Sequence, residues 1–235
     1  SENKVLARVR DFITHNRKFY IVTPNPEIIL ASLKSVRLKE ALNKSDLPIP
    51  DGVGLKLADS SLKIIKGRKL FNSLISLANK KSWKVFFLGG KGNEAEETAK
   101  KLKLSYKRVK IETFAGPKWN NNLKPVSEVD SRMAYDAIKK INLFKPHLLF
   151  VAFGYPKQEI WIQENLKKLD IGGAMAVGGV FRYVSGQAKL PPKFVEKLGL
   201  EWAWRFITEP WRTGRVIKAF IIFPWKVFMN KITKK

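Results

Sequence analysis

Short apolar runs rich in β-branched and aromatic residues alternate along this chain with longer stretches of helical periodicity, and few folds accommodate that alternation. Phe19–Thr23 (FYIVT) reads as a strand, followed by a Pro-initiated helix from Pro26 through about Leu42. Trp83–Leu88, Val109–Phe114, Leu148–Phe153 and Ala174–Val177 read as further strands. Between them, Val126, Val129, Met133, Ala137, Ile138 and Ile141 fall at helical spacing, and Lys157–Leu169 reads as another helix. The unbroken run LLFVAF is what a strand covered on both faces requires.

Strands alternating with helices imply βαβ units, hence an α/β, Rossmann-like fold whose mostly parallel sheet is flanked by helices. In such a sheet the loops after the strands lie beyond the carboxyl edge, where ligands bind. The length of 235 residues, 45% of them hydrophobic, suits one large α/β unit over residues 1–190. A shift in composition near Pro191 sets off residues 191–235 as a basic, amphipathic helical appendage.

The absence of cysteine removes disulfide scaffolds, thiol catalysis and Cys-based zinc sites, and it is compatible with a reducing cytosol. His15 and His147 are far apart in sequence, so no metal site is expected. No stretch reaches the ~18 unbroken apolar residues of a membrane-spanning helix, and the N-terminal SENKVLARVRDF lacks the features of a secretory signal. Lys and Arg number 45 against 20 Asp and Glu, a net charge of +25. That excess predicts polyanionic company: nucleic acid, an anionic lipid surface or phosphorylated substrates.

From Lys193 onward the chain carries ten cations and three acids, together with four of the seven tryptophans. Pro210 suits a first helical turn, and Pro224 is expected to end or kink that helix. Val216, Ile217, Phe220, Ile221 and Phe223 share one half of a helical barrel, opposite Arg212, Arg215 and Lys218. Such a helix either lies in a bilayer surface or docks on its own domain or a neighbouring subunit.

Three motifs could carry chemistry. In IPDGVG, Asp51 sits on a tight turn between an apolar segment and two glycines, placed either to accept a proton from a substrate hydroxyl or to cap a helix. The turn Gly89-Gly90-Lys91-Gly92-Asn93 ends a strand and opens a helix, so its amides could bind a phosphate, or it is an ordinary βα turn. In GYPKQE, Gln158 could read a base or a sugar hydroxyl and Lys157 could face a phosphate; the alternative is a capped, solvated first turn. No D-x-D pair is present to hold a divalent cation on a nucleotide diphosphate, so a leaving diphosphate would need Arg or Lys. G-x-S-x-G, HExxH and Walker patterns are also absent.

The ordered set of TPNP, PDGVG, FLGGK, AFGYPKQEIW, VGGVF and EWAWRFITEPWRTGR resembles the WecG/TagA/CpsF family of bacterial glycosyltransferases across nearly the whole chain. The resemblance implies an inverting, metal-independent transfer, with no cofactor, from a UDP-sugar to a polyprenyl-diphosphate-linked sugar at the cytoplasmic face of the plasma membrane. N-acetylmannosamine passing to undecaprenyl-diphosphate N-acetylglucosamine, in teichoic acid synthesis, is its best-known activity; relatives transfer N-acetylmannosaminuronate or glucose. Carried over by position, Asp51 is the general base, with Thr23 and Asn25 in the same pocket. Gly89, Gly90, Gly154, Lys157, Gln158, Glu159, Gly178 and Gly179 shape the donor site. Arg205, Arg212 and Arg215 meet the diphosphate, and the surrounding tail brings the site to an anionic membrane surface. The family also implies a homo-oligomer. The chain departs from the pattern at Arg182, where an aspartate usually follows G-G-x-F, and at Leu190-Pro191-Pro192, usually R-A-P. A nucleic-acid-binding protein without catalytic activity is the competing reading of the charge, but no nucleic-acid-binding signature accompanies it, so nucleic acid is not an expected partner. An inactive scaffold is the reading that Arg182 suggests.

Overall fold

The computed structural model describes residues 1–192, 195, 201–208, 214 and 217–232; for 201, 202, 205, 206 and 230–232 the description stops at the backbone. Six strands form one sheet: β1 (Phe19–Val22), β2 (Leu47–Pro48), β3 (Lys84–Gly89), β4 (Lys110–Phe114), β5 (Leu148–Ala152) and β6 (Gly173–Ala176). They lie in the order β2-β1-β6-β5-β3-β4, and every pairing is parallel. The expected α/β architecture is therefore present, with a sheet that is wholly parallel.

The uninterrupted apolar runs follow from two-sided burial. Successive strand residues point to opposite faces, so Phe19, Ile21, Val85, Phe87, Leu148, Phe150 and Met175 enter one layer. Tyr20, Val22, Phe86, Leu88, Leu149, Val151, Ala174 and Ala176 enter the other. The first layer is closed by α1 (Glu2–Thr14), α4 (Gly67–Lys81), α5 (Glu94–Ser105) and α8 (Val180–Val184). Phe71 of α4 meets Phe87, Phe150 and Phe181 at centroid distances of 5.8, 4.8 and 6.1 Å. The second layer is closed by α6 (Glu128–Phe144) and α7 (Lys157–Asn165), through Ala137, Ile141, Trp161 and Ile162.

Local outcomes differ from the sequence reading at several points. The single helix expected over Pro26–Leu42 is two, α2 (Pro26–Ser32) and α3 (Val36–Asn43). The break comes where Ser35 turns extended and its side chain accepts the Leu38 N–H, starting a new helix. Helices α1 and α4 and strand β2 have no counterpart in that reading, although Leu70, Phe71, Leu74, Ile75 and Ala78 of α4 are buried at helical spacing. Strand β2 spans only two residues and contains a proline, too short for any periodicity to register.

The tail departs from a simple amphipathic helix. Among the described residues it contains α9 (Glu201–Thr208), then a π-helical turn (Lys218–Ile222) running into α10 (Phe223–Ile232), so the helical run continues through Pro224 rather than ending there. The wider π turn breaks the even helical spacing, and the expected apolar face splits. Ala219 and Phe223 are buried, Phe223 against Leu30 and Leu55, whereas Ile217, Phe220 and Ile221 are exposed. Val216 lies outside the described residues. Thus α10 docks on its own domain through a narrow stripe.

At the opposite, amino end of the sheet, His147 stacks on Trp83 with rings 5.8 Å apart and 9° from parallel, and its Nδ1 accepts the Lys84 N–H at 3.0 Å. Burial, and then the neighbouring Lys84 charge, hold its pKa below the usual 6.5. The folded protein therefore favours the neutral ring. That contribution is complete above the unfolded-state pKa and is lost as pH falls through the lower folded-state value. The thermal midpoint should drop below about pH 6.5 more steeply in the wild type than in His147→Asn, which keeps an acceptor but does not titrate. Equal slopes would remove His147 from this role.

Candidate active site

Because all the strands run the same way, the segments after β1, β2, β3, β5 and β6 emerge on one edge. They carry Thr23–Asn25, Asp51, Gly89–Gly90, Gly154–Glu159 and Gly178–Gly179 respectively. The sheet thereby gathers the motifs singled out in the sequence.

The β1 and β2 ends interlock through backbone. The Ile49 N–H donates to the Val22 carbonyl at 2.9 Å and the Asp51 N–H to the Pro24 carbonyl at 2.9 Å. Asn25 caps α2, its Oδ1 accepting the Ile28 N–H at 2.9 Å. Ile65 N–H donates to the Pro50 carbonyl at 3.0 Å, which brings the start of α4 against the Asp51 turn. There the Gly67 N–H donates to Asp51 Oδ2 at 3.2 Å. A Cβ at Gly67 would stand 3.2 Å from both Asp51 Oδ2 and Thr23 Oγ1, so these oxygens flank one point that only a hydrogen fills comfortably. The N-cap residue Lys66 supplies no side-chain cap to α4, and Asp51 does so from a distant turn. The two readings of Asp51 are compatible: the carboxylate caps a 15-residue helix, and the positive end of that helix stabilises its charged form.

The glycine-rich turn is shaped by close approach. Gly89 has φ +91°, and a Cβ there would come within 3.0 Å of the Ala152 carbonyl and 2.9 Å of the Phe153 ring. The Gly90 N–H donates to the Ala152 carbonyl at 3.0 Å, fastening the β3 end to the β5 end. The buried Glu94 turns its carboxylate back and accepts the Lys91 N–H at 2.9 Å. A carboxylate therefore already uses an amide in the turn that the sequence offered to a phosphate.

After β5, Gln158 and Glu159 point into the protein, with 4% and 1% exposure. Gln158 Oε1 accepts the Gly154 N–H at 3.2 Å and the Gly178 N–H at 2.9 Å, and its Nε2 donates to Glu159 Oε1 at 2.8 Å. Burial pushes the Glu159 carboxyl up to about 7, against the lowering effect of its Gln158 bond. Lys157 Nζ donates to the Trp119 carbonyl, bracing the segment between β4 and α6. Trp119 packs edge-on against Phe153, and Phe153 against Trp161, at 5.8 and 5.6 Å. Among the described residues no group of three or more His, Asp or Glu is arranged to hold a metal ion.

The structure thus joins Thr23 and Asp51 around one point at Gly67, leaves the Asn25 side chain on the cap of α2, and joins Gly154 and Gly178 around Gln158. Gly178 and Gly179 occupy the turn into α8. Arg205 lies on α9 with its side chain not described, and Arg212 and Arg215 fall outside the described residues. Gly67 was not singled out from sequence, although a glycine between Lys66 and Arg68 at the head of an apolar helical run is a visible signal. Trp119 had none, since only the tertiary fold brings it to Lys157 and Phe153.

Comparison with known proteins identifies the family. The family model described as "Glycosyl transferase WecG/TagA/CpsF family" matches residues 1–235. A protein of Bacillus spizizenii named N-acetylglucosaminyldiphosphoundecaprenol N-acetyl-beta-D-mannosaminyltransferase is 31% identical over 211 residues, covering 88% of this chain and 77% of its own. Proteins of the same name from Bacillus subtilis and Staphylococcus aureus are each 30% identical, covering 91% and 97% of this chain and 84% and 87% of theirs. With its whole length matched, and with that family's motifs gathered on one edge of a parallel sheet, the chain belongs to the WecG/TagA/CpsF family of glycosyltransferases.

Proposed function

We propose that the protein transfers N-acetylmannosamine from a UDP-sugar to undecaprenyl-diphosphate-linked N-acetylglucosamine, with inversion and without a metal ion. The names of the relatives supply the acceptor and the transferred sugar. The observation that carries the mechanism is the meeting of Thr23 Oγ1 and Asp51 Oδ2 at Gly67.

In this reading Asp51 accepts the proton of the acceptor hydroxyl as that oxygen bonds to the anomeric carbon. The bond from that carbon to the donor diphosphate breaks on the opposite face, which inverts the configuration. Thr23 and Asn25 line the acceptor side. Gly89, Gly90, Gly154, Gly178 and Gly179 offer the donor a side-chain-free wall, with Gln158 and Glu159 behind it and Lys157 bracing its rim. Because Glu94 already uses the Lys91 amide, the negative charge that develops on the nucleotide is assigned to Arg205, Arg212 and Arg215, whose guanidinium groups suit a diphosphate.

The lipid-linked acceptor calls for a membrane surface, here the cytoplasmic face of the plasma membrane. Trp225 and Phe228 on α10 are 60% and 61% exposed, beside the exposed Lys218 and Lys226. Phe223 on the buried side of α10 packs on Leu55, in the turn that follows Asp51, so a tail lying in lipid headgroups would carry the base to the lipid. A homo-oligomer in which one tail closes a neighbour's pocket belongs to the same proposal.

Incubation with a panel of UDP-sugars and a short-chain polyprenyl-diphosphate N-acetylglucosamine, read by mass spectrometry, should give a product one N-acetylhexosamine heavier; no product with any donor overturns the reading. Asp51→Asn preserves an acceptor for the Gly67 N–H and should fold normally while kcat falls roughly 10²–10⁴-fold. Gly67→Ala should lower kcat roughly 10-fold or more, with little change in thermal midpoint, because the added methyl pushes on both oxygens. Truncation after Glu209 should abolish both transfer and co-sedimentation with anionic liposomes, and full transfer by the truncated chain would release the tail from its role.

A further inference from the structure

The Gln158–Glu159 pair is an expensive feature for a protein core. A buried carboxyl without a full set of partners opposes folding, and Glu159 Oε2 has no hydrogen-bond partner among the described residues. An apolar side chain of similar size would fill the same space at lower cost. What the carboxyl provides is direction. An amide can present either its oxygen or its nitrogen to a neighbour, and the two differ little in shape. Gly154 and Gly178 both offer N–H donors, so Gln158 satisfies them only with its oxygen turned toward them. Glu159 Oε1 accepts from Nε2 and holds the amide in that orientation.

The two glycines so joined stand at the ends of adjacent strands, β5 and β6. Both have positive φ, +75° and +54°, a region that glycine enters without steric cost and that by itself specifies no single turn geometry. A Cβ at Gly154 would meet no atom within 4 Å, so no neighbouring atom crowds that point of the turn. The amide of Gln158 is the shared tie.

We infer that Glu159 is a positioning residue: by fixing the amide orientation of Gln158, it holds the Gly154 and Gly178 turns in the register that forms the donor wall. The inference rests on the proposed donor site only for its kinetic consequence; the relay itself is independent of substrate. Glu159 touches no ligand in this arrangement, and Gln158 keeps one Nε2 hydrogen beyond the one given to Glu159.

The test uses the full chain. Glu159→Leu removes the acceptor, and Glu159→Gln retains one. Under the relay, Glu159→Leu folds with an unchanged or higher thermal midpoint, yet its KM for the donor rises roughly tenfold, its KM for the acceptor stays near wild type, and Glu159→Gln recovers most of the loss. In wild-type protein labelled with ¹⁵N, the Gly154 and Gly178 amides and one Gln158 side-chain hydrogen should exchange slowly. In Glu159→Leu the two glycine amides should exchange at least tenfold faster. A folded Glu159→Leu with wild-type donor KM and unchanged glycine exchange overturns the inference. So does rapid exchange of those amides in the wild type, which decides the matter even if Glu159→Leu fails to fold. The exchange measurement needs no substrate: wild type that transfers no sugar but shows the protected amides refutes the proposed function and leaves the relay standing, and active wild type with unprotected amides does the reverse.

Discussion

Parallel pairing throughout the sheet is the constraint from which the rest follows. An antiparallel neighbour would send its carboxyl end to the far side, and one of the motif-bearing segments would leave the site. With every strand aligned, segments as distant in sequence as Thr23 and Gly178 emerge on a single edge. Parallel pairing also demands crossover connections and cover on both faces. That is why the inner strands β1, β3, β5 and β6 are apolar without alternation, unlike the edge strand β4, and why helices from both halves of the chain pack against them.

On that edge, groups proposed to meet substrate also hold the fold. Asp51 is at once the proposed base and the cap of α4, so helix and base share one hydrogen bond from Gly67. Asn25, proposed for the same pocket, caps α2 with its side chain. Gln158 closes two glycine turns. A site built this way needs few additional residues, and its geometry is as rigid as the helices that supply it. The cost appears at Glu159, where a carboxyl is kept in the interior and its pKa is lifted to about 7.

Much of the architecture was legible because strong periodic signals are local. The runs at Phe19, Trp83 and Leu148 gave strands whose observed limits shift by a residue or so. The break between α2 and α3 was not legible, since it depends on Ser35 winning a single capping bond within a stretch that remains helical in pattern. Strand β2 is a strand only because Leu47 and Pro48 lie beside β1. The tail reads as one amphipathic surface in sequence, yet a π turn rotates Phe223 inward and leaves Ile217, Phe220 and Ile221 outside.

By itself the sequence determined the fold class, the set of strand-ending motifs and the candidacy of Asp51, because each depends on residues near one another in the chain. The tertiary structure alone decided that Asp51 answers to Gly67 and Thr23, that Gln158 spends its oxygen on Gly154 and Gly178, and that Lys157 is tied to Trp119. Those partners are set by strand order and helix placement. Hydrogen bonds act over about 3 Å of space, whatever the separation along the chain.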